Sequence, residues 1–177
     1  DAMLWAIFFV FCALGTVQHF LFAPLGRPRS VMWLLPVSES PWEHYKLAFW
    51  PLGGALGVLS LLTDSPLPAF FSAWWAAAAH GFCTMLGIYY FYRAALGVSR
   101  PVLWADICNF YITMFCGWKM GLRVLRYAPG WACGLPAGLC LAAVALFFST
   151  AAMLPPKKYP MFLEETDNGR DQRTGTS

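Results

Sequence analysis

Uninterrupted apolar runs of about 20 residues constrain this chain more than any other feature. The first, MLWAIFFVFCALGTVQHFLF, spans Met3 to Phe22, and four comparable runs follow it. About 20 apolar residues wound as a helix cross the roughly 30 Å hydrocarbon layer of a bilayer. Lipid offers no partner to a bare peptide group, so only helices and closed barrels cross it. A barrel would show alternating strands of about ten residues, and none appears. The expected fold is therefore all-α, a polytopic membrane protein with about five helices in one bundle. The expected spans are 3–22, 41–62, 69–92, 101–124 and 131–154, followed by a polar tail over 155–177.

Composition agrees. The chain is 59% hydrophobic and 12% charged, where a soluble domain carries about 25% charged residues. Nine Trp and fifteen Phe suit aromatic belts at the two bilayer surfaces. The first run is too long to be a removable signal peptide, and its end does not look like a cleavage site. Between it and the second run, SVMWLLPV is apolar but too short to span, so an interfacial or re-entrant path is expected. The six cysteines all fall in apolar runs, with no CxxC pair or disulfide framework, and most are expected to be buried small hydrophobes.

The net charge of +3 sits at segment ends and forms no stripe, which argues against nucleic-acid binding and reads as a topology signal. Arg27, Arg29, Lys46, Arg93, Arg100, Lys157 and Lys158 would share one side. The N-terminus and the loop TDSPLP carry no Lys or Arg on the other, where Arg123 and Arg126 are the exceptions. The positive-inside rule then puts the N-terminus outside and the tail in the cytoplasm, in a cytoplasmic membrane.

Against this apolar background, SESPWEHYK gathers Glu39, Glu43, His44 and Lys46 within nine residues. Ser40, Pro41 and Glu43 match a capping box with Pro at the first helical position. Capping leaves Glu39, His44 and Lys46 unexplained. The order of spans brings His19 and Asp106 to the same level, and Asp106, Asn109 and Thr113 recur at i, i+3 and i+7 along one helix face. Ionisable groups at membrane depth are costly and face a bundle interior, so they mark a functional site. The candidate catalytic residues are His19, Glu39, Glu43, His44 and Asp106; the candidate ligand-binding residues are Trp42, Lys46, Tyr89, Tyr92 and Asn109. His80, near mid-membrane, reads as a packing histidine.

Three chemistries suit such a cluster. His19, His44, Glu43 and Asp106 are the candidate ligands for a divalent metal that activates water, although no HExxH-like spacing supports it. A carboxylate and a histidine can act as acid and base on a lipid-like substrate. The same groups can relay protons without turnover. Lys46 can instead neutralise a neighbouring acid, or snorkel to anionic lipid. Gly130, Gly134, Gly138 and Ala142 form a ridge of small residues four apart, suited to packing within the bundle or against a membrane partner or second copy.

The stretches LGTVQHF, PVSESPWEHYKLAFWP and YYFYRAALGVSRPVLWADICNFY resemble an uncharacterised family of small bacterial multi-pass membrane proteins. Its signature is roughly V-N-E-S-x-W-E-H-x-K-L. The resemblance runs from Leu14 to about Val124, and departs at Ser38, where the family pattern has Asn. It implies that His19, Glu39, Ser40, Trp42, Glu43, His44, Lys46 and Asp106 belong together, and implies no reaction. A looser likeness to emopamil-binding-type sterol isomerases, small helical proteins with His and acids near a Trp, suggests that such a pocket can hold a lipid or isoprenoid-like amphiphile. The non-enzymatic alternative is an accessory or scaffold subunit of a larger membrane complex.

Overall fold

The computed structural model describes residues 2–21, 24–25, 29–37, 40–98, 102–127 and 131–153. These form five helices: α1 (Ala2–Leu21), α2 (Pro41–Leu62), α3 (Leu67–Leu96), α4 (Leu103–Arg126) and α5 (Trp131–Met153). No strand occurs among the described residues. Three helices are long and apolar enough to cross a membrane: α1, α2 and, within α5, Cys133–Ala151. The tail, Gly130 and Glu39 lie outside the described residues.

The α3 helix is longer than its apolar run suggests, running on from Tyr92 through Arg-Ala-Ala-Leu to Gly97. Those four residues are strong helix formers, so the helix continues past its apolar part. Gly97, at φ 61°, ends it in the left-handed conformation that glycine adopts freely.

The central helix is α2. Within its apolar window 67% of the residues are buried inside the protein, against 28% for α1 and 22% for α5, whose outer faces are left for lipid. It packs on α1, α3 and α4, while α5 lies mainly along α3. Leu52, Leu56 and Leu59 of α2 meet Ala73 and Ala77 of α3, Met114 and Trp118 of α4, and Phe8 and Cys12 of α1. Trp42, Tyr45 and Phe49 join α2 to Phe82 of α3 and Phe148 of α5 in a second, aromatic core.

Glycine sets how closely these helices approach. Pro51 has no N–H for the Leu47 carbonyl one turn earlier, and α1 comes against that carbonyl at Gly15, where a Cβ would lie 2.7 Å from the oxygen. At Gly53 a Cβ would lie well under 3.0 Å from the Trp74 indole. The indole Nε1 in turn donates to the Phe49 carbonyl at 3.1 Å.

The short apolar segment between α1 and α2 folds back on the bundle through a 3-10 turn at Arg29–Val31. Side chains of α1 and α2 hold its irregular backbone: Gln18 donates to the Leu34 carbonyl, Lys46 to Met32 at 2.7 Å and Trp50 to Trp33 at 3.0 Å. Peptide groups with no helical partner need such donors where water is scarce.

Candidate functional site

The polar stretch before α2 divides into two functions. Ser40 caps the helix, its Oγ accepting from Glu43 N–H at 3.3 Å, with Pro41 in the first turn. Glu43 does not turn back on the cap. One carboxylate oxygen accepts from Val37 N–H at 2.8 Å and pairs with Lys46 Nζ at 2.7 Å. The Lys46 side chain is fully buried and the Glu43 side chain 5% exposed. These two residues therefore neutralise each other and clamp the 32–37 backbone. Neither lines the cavity between α2, α3 and α4.

His44, one position along, points elsewhere. It lines a cavity of about 60 Å³ between α2, α3 and α4, together with Asp106, Asn109, Tyr89, Met85 and Thr113. His44 and Asp106 come from separate helices, α2 and α4. Nδ1 of His44 lies 3.1 Å from the Ser40 carbonyl. A carbonyl only accepts, so Nδ1 carries a proton and Nε2 is the nitrogen able to exchange one. The His19 ring lies beside His44, with centroids 5.3 Å apart and the planes tilted by 38°.

Asp106 lies in the first turn of α4, not deeper as the apolar run suggests, because the helix starts at Leu103. A carboxylate there is favoured by the positive end of the helix dipole. Tyr92 of α3 donates its hydroxyl to Asp106 Oδ1 at 2.6 Å, a partner that the order of spans alone would seek among the histidines. One turn earlier on α3, Tyr89 accepts from Arg93. Asn109 donates to the Met85 carbonyl at 3.0 Å, and Thr113 donates to Asn109 Oδ1 at 3.4 Å. The polar stripe of α4 is thus tied to α3 by hydrogen bonds and runs inward from Asp106.

Of the candidates, the fold brings His44, Asp106, Tyr89 and Asn109 to one cavity, with His19 and Tyr92 one contact behind. Trp42 packs instead in the aromatic core, 5.0 Å from both Phe147 and Phe148. Glu39 lies outside the described residues. His80 is exposed on α3 rather than packed, because that face of the helix looks away from the bundle. Among the described residues no three His, Cys, Asp or Glu side chains come close enough to hold a metal ion. One residue absent from the sequence-derived set is Gln18, the lone amide in the first apolar run and the donor that pins Leu34. Its signal is a polar side chain in an otherwise apolar helix, and the fold buries it to 7% exposure.

A family model described as a family of unknown function, DUF6512, matches residues 2–171. No curated protein and no solved structure matches the chain.

Proposed function

We propose, for a chain that belongs to the DUF6512 family of unknown function, a membrane-embedded acid–base site that works on the small polar end of a lipid or isoprenoid-like amphiphile. The observation that carries this reading is that His44 and Asp106 line one cavity from two different helices. Each is oriented by a separate hydrogen bond, to the Ser40 carbonyl and from the Tyr92 hydroxyl. Orientation by a second group is what a proton-transfer pair needs. A cavity of about 60 Å³ has room for about two waters, at roughly 30 Å³ each. Only a hydroxyl, amine or similar group enters it, and the rest of the amphiphile lies outside. Exposed Leu103, Trp104 and Ile107 on the adjoining turns of α4 offer it an apolar surface.

In this reading all five helices cross the cytoplasmic membrane and the cavity faces the inner leaflet, on the lysine and arginine distribution.

The test compares lipid extracts of the purified full chain with those of His44→Gln and Asp106→Asn by mass spectrometry. One amphiphile enriched with the parent chain and lost from both folded variants is expected. An unchanged lipid complement in both would remove the amphiphile.

The second reading is a proton path. It is favoured by Asn109 and Thr113, which continue the polar stripe from Asp106 toward the middle of the bundle. Acidification of pyranine-loaded proteoliposomes, abolished by Asp106→Asn, separates it from the first.

A further inference from the structure

At the opposite end of the bundle lies a larger cavity, about 770 Å³, between α1, α2 and α4. Lys119, Arg123 and Arg126 line it at i, i+4 and i+7, one face over the last two turns of α4. The hydroxyl-bearing turn after α2 faces them with Thr63 and Ser65, and Trp5 of α1 closes one side. Leucines from α1, α2 and α4 supply its apolar wall.

All three side chains are exposed, so water screens them in part, yet together they concentrate positive charge along one wall of the half-open cavity. The buried Lys46–Glu43 pair is at the other end of the bundle and offers them nothing. Asp64 stands between Thr63 and Ser65, yet among the described residues it forms no ion pair with any of the three. The Thr63 and Ser65 hydroxyls, hydrogen-bonded to each other at 2.8 Å, are neutral and cannot balance the cations. A basic residue in the last turn complements the negative end of the helix dipole, but three cations along one wall of one cavity exceed what that requires. The volume falls in the range of small-molecule pockets, roughly 300–1,000 Å³. Paired arginines suit a phosphate in particular, because the guanidinium presents two parallel donors.

We infer that this cavity is a phosphate-anion site, formed by Lys119, Arg123 and Arg126, whose ligand is the phosphate group of an anionic membrane lipid or a free phosphate. The apolar wall favours the lipid, since acyl chains can leave along it while the headgroup stays with the cations. The site lies in a different cavity from His44 and Asp106 and stands whether or not the acid–base reading does.

The test uses the full chain in mild detergent and native mass spectrometry with dioleoylphosphatidylglycerol, dioleoylphosphatidylcholine and inorganic phosphate as separate probes. Phosphatidylglycerol should bind in preference to phosphatidylcholine, and R123Q/R126Q should weaken it by about tenfold or more, the loss expected when charge-assisted hydrogen bonds go. Lys119→Gln, at a residue that lines the cavity, should weaken phosphatidylglycerol binding in the same direction, which keeps the test open if the double variant folds poorly. Inorganic phosphate binding as tightly as phosphatidylglycerol identifies the free anion as ligand; much weaker phosphate binding identifies the lipid. Equal retention of both lipids by parent and R123Q/R126Q, with no binding of phosphate, overturns the site.

Discussion

At the scale of single residues, the buried Lys46–Glu43 pair carries the sharpest consequence. Both side chains are almost wholly withdrawn from the surface, and together they hold Met32 and Val37 of the folded-back segment. Removing one member leaves the other charged without its partner, which typically costs about 3–5 kcal/mol. Lys46→Met should therefore destabilise strongly in detergent unfolding. Glu43→Gln/Lys46→Met together should recover much of that, because no charge is stranded and the new side-chain amide can still accept from Val37 N–H. A double variant no better than Lys46→Met would show that the Met32 carbonyl contact, not the charge balance, dominates. The role of Lys46 was only half legible. Its proximity to Glu43 at i, i+3 is a sequence fact, but its bond to Met32 depends on where the 29–37 segment folds.

Helices meet through particular glycines, and these separate packing from propensity. Gly53→Ala forces a methyl to well under 3.0 Å from the Trp74 ring, so it should destabilise by about 1–3 kcal/mol through overpacking. Gly87→Ala on α3 meets nothing within 4 Å and should be neutral or stabilise by up to about 1 kcal/mol, from helix propensity. Thermal unfolding of the two single variants checks both signs. The small-residue ridge of α5 divides in the same way. A Cβ at Gly134 would lie under 3.0 Å from Pro68 of α3, backbone included, whereas one at Gly138 would lie 3.6 Å from Phe71. Gly134→Leu should thus disturb the chain's own fold. Gly138→Leu is the variant suited to testing a membrane partner: a stoichiometric partner that co-purifies with the parent and is lost only with Gly138→Leu would support the scaffold role.

For the whole molecule, the prediction is orientation. On the lysine and arginine bias, the tail and the His44 cavity are expected in the cytoplasm, and the phosphate-anion cavity on the outer side. A cysteine introduced in the tail should be inaccessible to an impermeant maleimide in intact cells and accessible after permeabilisation. Labelling in intact cells would invert both assignments. Arg123 and Arg126 in the last turn of α4, with Lys119 one turn before them, make this measurement decisive, since those residues alone would pull the other way.

The apolar runs by themselves determined an all-helical chain, the start and end of α2, and most of the other boundaries to within a turn. They could do so because length and backbone satisfaction in lipid are local properties of a segment. The cap at Ser40 and Pro41 was legible for the same reason: it needs only neighbours in sequence. Which ionisable residues meet was not local. His44 and Glu43 are adjacent in the chain, yet successive positions on a helix point about 100° apart, and the packing of α2 decides what each one faces. That packing sent Glu43 to the folded-back segment and His44 to the cavity that Asp106 also lines, and it chose Tyr92 as a hydrogen-bond partner of the carboxylate. Close approaches at Gly15 and Gly53 fixed the geometry, because helix contacts in a bundle follow from three-dimensional fit, which no single run of residues contains.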